Sequence, residues 1–205
     1  MKKPLYTTIF ILIFCFLTFK TSFGQLSSYQ SYFSDQLSGW TKTIKGFSLS
    51  KFKATDTLAF DQFNYLSFNK LKDFYPIYRT IIQYAPDSSQ FTDIYSYELN
   101  LQRDYDRTIA TTNVEQGISL CNLKTKQWQR ILTLGPDDGV EDLYWISNQA
   151  FIMVGYTFDK TKKRRPVIYI GSLIDNSFTM YIDDSQVSTG YQTPGFQRLH
   201  VEQEQ

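Results

Sequence analysis

The stretch GISLCNLKTKQW at residues 117–128 and the stretch VIYIGSLIDNSF at residues 167–178 follow the same pattern. Each begins with an apolar run that ends at a leucine, Leu123 or Leu173, continues through three turn residues and starts a second run. Short apolar runs bounded by turn residues predict β-strands, and two of them joined by a tight turn predict a β-hairpin. The two stretches therefore predict equivalent hairpins and indicate an internal repeat.

Beyond these hairpins, each repeat predicts four strands separated by turns and loops. In the first repeat the turn sequence PDSS at residues 86–89 separates two strand-like runs, because proline fixes φ and the Asp and Ser side chains bond nearby backbone. Four antiparallel strands in ~40–50 residues form a propeller blade. The predicted strands are residues 77–84, 91–99, 117–123 and 127–134 in the first repeat and residues 141–146, 150–157, 166–173 and 177–182 in the second.

These patterns predict an all-β fold of antiparallel, four-stranded, blade-like repeats, either a partial propeller or another β-meander, such as the hairpins of a sandwich or small barrel. The stretch YAPDSSQF at residues 84–91 and residues 118–128 resemble hairpins of the WD40-like and TolB-like β-propellers, although the Trp-Asp dipeptide is absent. The resemblance covers residues 77–183 and implies architecture without activity, because propellers have many functions. Complete rings have about 4–8 blades, so two blades imply a partial stack, a homo-oligomer or a different meander.

Residues 1–24 have the three parts of a secretory signal peptide. Two lysines form a positive start, residues 8–19 are apolar, and the small residues Ser22 and Gly24 precede the expected cleavage position. The apolar run is too short to cross ~30 Å of hydrocarbon comfortably as a helix, although an uncleaved anchor is the alternative. We therefore expect a periplasmic or secreted protein without a transmembrane span after cleavage, similar in style to exported proteins of the Bacteroidetes group.

The rest of the chain divides into three parts. Residues 25–76 form an irregular N-terminal segment that we expect to pack on the β domain. Apolar residues recur there at four-residue spacing from Tyr29 to Leu37, which predicts a short helix. Residues 77–183 hold the two blade-like repeats, and residues 184–205 form a polar C-terminal tail.

The composition excludes several classes of protein. With 21 basic and 20 acidic residues, the chain has no charge excess of the kind that binds nucleic acid. Its single histidine, His200, and its two cysteines exclude most histidine-based catalysis, disulfide frameworks and thiolate zinc sites. Cys121 lies in an apolar run and is the one cysteine outside the signal peptide, so we predict that it is a buried small hydrophobic residue.

Two groups of residues are candidate sites. Bulky aromatic side chains dominate binding surfaces and stack on sugars, although they also fill β cores. The candidate ligand-binding residues are Trp128, Trp145, Tyr144 and Tyr97. The loop GPDDGVED offers four carboxylates within six residues, and hard cations such as Ca²⁺ prefer oxygen ligands. Its spacing does not match an EF-hand, so a turn between blades is the alternative. The candidate metal ligands are Asp137, Asp138, Glu141 and Asp142.

From these features we expect an exported, non-catalytic binding or interaction module of the cell envelope. It would bind an envelope protein or glycan through loop ends or an aromatic face, with no nucleic acid and no required cofactor. One alternative is a carbohydrate-binding module that uses exposed Trp and Tyr side chains. A weaker alternative is a hydrolase, because neither a Gly-x-Ser-x-Gly elbow nor an HExxH motif occurs in the chain.

Overall fold

The computed structural model describes residues 26–203, with the exception of positions 62, 66–75, 98 and 106. The predicted signal peptide at residues 1–24 lies outside the described residues. Within the part of the chain that is described, no helix is long and apolar enough to cross a membrane.

Short helices occur near both ends of the described chain, and most of the strands lie between them. The helices are α1 (Gln30–Ser34), α2 (Ser38–Thr41), a 3₁₀-helix (Leu49–Lys51) and α3 (Pro194–Gln197). The strands are β1 (Lys53–Ala59), β2 (Phe63–Tyr65), β3 (Gln83–Tyr84), β4 (Gln90–Asp93), β5 (Leu99–Asp104), β6 (Arg107–Thr112), β7 (Gln116–Asn122), β8 (Gln127–Leu134), β9 (Asp138–Ser147), β10 (Ala150–Phe158), β11 (Arg164–Ser172), β12 (Ser177–Ile182) and β13 (Val201–Gln203).

The strands form two five-stranded antiparallel sheets and one small sheet. The first sheet has the order β2-β8-β7-β4-β3, and the second has the order β1-β12-β11-β10-β9. Each contains four strands that run up and down in chain order, with an N-terminal strand, β2 or β1, added at its edge. The hairpin β5–β6 is inserted between β4 and β7, and β13 joins it in parallel to β6. The predicted all-β fold with antiparallel four-stranded repeats is confirmed, and the relation to propellers stays a prediction.

The two repeats share details of their turns. Lys126 and Asn176 occupy the same position in the turns before β8 and β12, and both have positive φ, 55° and 49°. The backbone N–H of Leu123 and that of Leu173 each donate to a carbonyl in the turn that precedes β4 or β10, at 2.9 and 2.8 Å. The same hydrogen bond and the same left-handed residue therefore close the corresponding hairpins of both sheets.

The second sheet is buried on both faces, which explains why β10 reads as a continuous apolar run. Phe151 and Met153 lie in the core between the two sheets, whereas Ile152 and Val154 contact the N-terminal helices. Each such side chain stabilises the fold by about 1.5–3 kcal/mol when it leaves water. Residues 26–52 therefore act as a cover for the outer face of this sheet, with Trp40 completely buried at its centre.

The predicted strand at residues 77–84 is wrong for most of its length, because only Gln83 and Tyr84 are in β3. The chain is helical and turn-like before that point, and Tyr78 is buried there. Its hydroxyl group donates to the carbonyl of Leu99 (2.6 Å) and accepts from the N–H of Leu101 (2.8 Å). A short apolar run fits a buried turn as well as a strand, and these long-range contacts favour the turn.

The predicted strand at residues 91–99 ends early. β4 stops at Asp93, whose buried carboxylate accepts from the N–H groups of Tyr95 (2.9 Å) and Ser96 (3.0 Å). A side chain that binds the backbone two residues ahead favours a turn over a continued ladder. The alternation of aromatic residues through this segment therefore does not correspond to a strand.

Candidate binding site

The two candidate tryptophans contact the protein core. Trp145 is 4% exposed, packs against the ring of Phe151 (5.0 Å between centroids) and donates from Nε1 to the carbonyl of Gln83 (3.0 Å). Trp128 is half-buried and meets Phe91 edge-on, at 5.7 Å. Both rings therefore pack between strands and help to fill the β core, which is the alternative to a role in ligand binding.

The two candidate tyrosines lie in different places. The ring of Tyr97 contacts the guanidinium of Arg130, at 3.8 Å, and lies close to Gly117, where a Cβ would come within 2.9 Å of the ring. Tyr144 is half-buried against the ring of Tyr32, at 5.5 Å. The four aromatic candidates do not form a common surface, and Tyr144 lines a cleft together with Asp142.

The four acidic candidates also separate. Asp137 is exposed and pairs with Lys162 at 2.7 Å, and Asp138 pairs across the ladder with Thr157. The side chain of Glu141 and the residue Asp142 are buried. Among the described residues, no group of three His, Cys, Asp or Glu side chains could hold a metal ion. The structure does not assemble these carboxylates into the predicted calcium site.

Glu141 joins three distant parts of the chain. It is the extra residue of a β-bulge in β9, between the residues that pair with Val154 and Gly155. Its carboxylate accepts hydrogen bonds from Arg164 Nη2 (2.7 Å), from Trp40 Nε1 (3.2 Å) and from the backbone N–H of Tyr191. This carboxylate therefore fastens the N-terminal cover and the C-terminal segment to the second sheet.

The C-terminal segment borders two clefts on the surface. The tyrosine cleft has a volume of about 380 Å³, and its lining includes Tyr95, Gln116, Tyr156, Tyr191, Gln192 and Phe196. The Asp142 cleft has a volume of about 490 Å³, and its important residues are Lys42, Gln83, Asp142, Tyr144, Tyr191 and Arg198. Tyr191 lines both clefts.

The walls of the tyrosine cleft are held by contacts within the protein. Tyr95 stacks on Phe196 at 5.2 Å, and its hydroxyl group shares a hydrogen bond of 3.0 Å with Oγ1 of Thr193. Gln116 is buried and makes hydrogen bonds to both backbone groups of Val140, accepting at 2.7 Å and donating at 2.9 Å. The cleft is therefore preformed, as most ligand sites in proteins are.

Asp142 is the unusual group of the second cleft. Asp142 is 7% exposed, and burial raises the pKa of its carboxyl to about 7. The hydrogen bond from the N–H of Leu143, at 2.8 Å, lowers this pKa, and the negative charge of Glu141 raises it further. Within the described chain, no cation lies at ion-pair distance from this carboxyl. Lys42 and Arg198, which line the same cleft, are exposed.

Cys121 does not belong to either cleft. It is a completely buried free cysteine, which confirms the prediction that it is a buried small hydrophobic residue. Burial raises the pKa of its thiol to about 12, so the group stays protonated at neutral pH.

Sequence patterns did not identify the residues that build the clefts. Tyr191 and Arg198 are in the predicted polar tail, and Gln116 precedes a predicted strand without any periodic signal. Asp142 was selected as a metal ligand because of its acidic neighbours, and its burial is what distinguishes it. Comparison with protein-family models, curated proteins and solved structures gives no match to this chain.

Proposed function

We propose that the chain is a non-catalytic binding module of the cell envelope, which holds part of a partner protein in the tyrosine cleft. The observation that carries this proposal is the preformed cleft of about 380 Å³. Aromatic side chains anchored by their neighbours make good interface contacts, because they lose little conformational freedom on binding. Tyr95, stacked on Phe196, and Tyr156, stacked under Arg164 at 3.7 Å, are anchored in this way.

The proposed location outside the cytoplasm is supported by the sequence of residues 1–24, which has the parts of a signal peptide. The small set of reactive groups supports the proposal of a non-catalytic role. His200 is the single histidine, it is exposed near the end of the chain, and the thiol of Cys121 is buried. Neither group lines the tyrosine cleft.

A protein partner fits the structure better than a glycan. The carbohydrate alternative uses exposed Trp and Tyr side chains, and of the two candidate tryptophans Trp145 packs in the core while Trp128 packs on Phe91. The tyrosines of the cleft are mixed with apolar groups such as Leu99, Ala110 and Val201, which suit apolar side chains of a polypeptide.

Site-specific photocrosslinking in cells that export the protein tests this proposal. A photoreactive residue replaces Gln192, which is exposed at the tyrosine cleft, and in a control variant it replaces Ile174, which is 71% exposed at the opposite end of the second sheet. We expect a discrete adduct in the envelope fraction from position 192 alone. No adduct, or the same adducts from both positions, would contradict binding at this cleft.

A further inference from the structure

The Asp142 cleft contains charges of both signs that have no partner in the described part of the chain. Asp142 is buried at its wall and receives a single hydrogen bond, from the neighbouring backbone N–H. Lys42 and Arg198 line the same cleft, and neither makes an ion pair with a described carboxylate. A buried carboxyl in a protein is normally either paired or protonated, so an unpaired carboxyl that lines a cleft can take a cation that enters the cleft as its partner.

We infer that the Asp142 cleft binds a small zwitterion that carries a primary ammonium group and a carboxylate, such as an amino acid or a short peptide. The ammonium group would pair with Asp142, and the carboxylate would pair with Arg198 or Lys42. This assignment rests on the proposed binding role of the chain and adds a ligand class for the Asp142 cleft.

The shape of the cleft agrees with such a ligand. Its volume of about 490 Å³ lies in the range of small-molecule sites, which is about 300–1,000 Å³. Tyr144 and Tyr191 add aromatic faces, which attract ammonium groups, and Gln83 adds an amide. A ligand with only negative charge would leave Asp142 unpaired, and a ligand with only positive charge would lie beside two cations.

Strand pairing explains the position of Asp142. Asp142 and Tyr144 lie opposite Val154 and Ile152 in the ladder between β9 and β10, on the face that the N-terminal cover buries. The cover contributes Lys42, and the C-terminal segment contributes Arg198. The site therefore exists only when both ends of the described chain pack on the second sheet.

Binding of an ammonium group requires the ionised form of Asp142, so the affinity depends on pH. The titratable groups around Asp142 are Glu141 on its own strand, Tyr95 from the segment after β4 and Tyr191 from the C-terminal segment. The exposed cations Lys42 and Arg198 line the same cleft. The tyrosines are neutral near pH 7, because their ordinary pKa of 10.0 lies well above this pH and burial raises it further. From pH about 6 to pH about 8 the affinity for a dipeptide should rise about fivefold, with release of a proton at the lower pH. Ionisation of Asp142 alone would give about tenfold, but the α-amino group of the ligand has a pKa near 8 and is about half deprotonated at the upper pH.

Calorimetric titration of the full-length exported protein tests this inference with defined probes. L-alanyl-L-alanine is the zwitterion, N-acetyl-L-alanyl-L-alanine lacks the ammonium group, and L-alanyl-L-alaninamide lacks the carboxylate. We expect binding of the zwitterion and a loss of about tenfold or more in affinity for each blocked compound. L-alanine in a parallel titration distinguishes a site for free amino acids from a site for peptides. No binding of either zwitterion at millimolar concentration, or equal binding of the blocked compounds, would overturn the inference.

Variants separate this site from the tyrosine cleft. Asp142→Asn keeps the shape and removes the charge, and Asp138→Asn on the same strand is the matched control, because Asp138 lines neither cleft. We expect Asp142→Asn to abolish both zwitterion binding and its pH dependence, and Asp138→Asn to preserve them. If the zwitterion fails to bind while the adduct from position 192 persists, the ligand class is wrong and the binding role stands. Loss of that adduct with zwitterion binding intact would reject the protein partner alone.

Discussion

Replacing Glu141 with glutamine removes a negative charge from a buried position and leaves the side-chain shape nearly unchanged. In the folded protein this carboxylate accepts from Arg164 Nη2 (2.7 Å), from Trp40 Nε1 (3.2 Å) and from the N–H of Tyr191. The side chains of Arg164 and Glu141 are 17% and 7% exposed. The variant therefore leaves a guanidinium group largely buried without its counter-charge.

The size of the effect follows from this geometry. Loss of one partner of a buried ion pair destabilises a protein by about 3–5 kcal/mol, because the remaining charge has no compensation. The amide oxygen of glutamine still accepts a hydrogen bond, and Arg164 keeps its contact with the ring of Tyr156, so we expect about 3 kcal/mol. In a protein of this length, 1 kcal/mol shifts the melting temperature by about 2–4 °C, which predicts a fall of about 6–12 °C.

Urea and thermal unfolding of two variants measure the effect. Asp137→Asn is the matched control, because it removes the ion pair between Asp137 and Lys162. The side chains of Lys162 and Asp137 are 71% and 55% exposed. An exposed pair contributes less than about 1 kcal/mol, so this control should lower the melting temperature only slightly. If Glu141→Gln shifts the midpoint no more than Asp137→Asn does, Glu141 does not fasten the chain segments together and the reasoning fails.

Three further results are expected. The pKa of Asp142 is raised to about 7 from its ordinary value of 3.8, so its contribution to stability is full below about pH 4 and is lost as pH rises through 7. Asp142→Asn should therefore gain up to about 4 kcal/mol relative to wild type above that pH in urea unfolding, and parallel pH profiles of the two proteins would contradict this. Gly155→Ala should destabilise by about 1–3 kcal/mol or more, because its Cβ would lie 1.9 Å from the carbonyl oxygen of Gly139. Gly135→Ala, where a Cβ meets nothing within 4 Å, is the control, and equal urea midpoints would count against the close strand approach. Cys121 should resist a thiol reagent in the native state and react on unfolding, as mass analysis of the labelled peptide shows; rapid native labelling would disprove its burial.

Strong local signals predicted most of the second repeat. The strand predicted at residues 177–182 coincides with β12, and the one at residues 150–157 is one residue shorter than β10. Apolar runs there are long and turn residues stand between them, so neighbouring residues carry enough information to define each strand. The first repeat was predicted less well, because the turn at Asp93 and the buried position of Tyr78 depend on particular side-chain hydrogen bonds.

The amino-acid order established the all-β class, the repeat and the hairpin turns, since these depend on patterns over a few residues. The clefts could not be predicted in this way. Burial of Asp142 requires the cover with Lys42 and the segment with Tyr191 and Arg198 to converge on β9 from opposite ends of the described chain. No periodic pattern connects residues so far apart, and the pKa and pairing of a carboxyl depend on which groups surround it after folding.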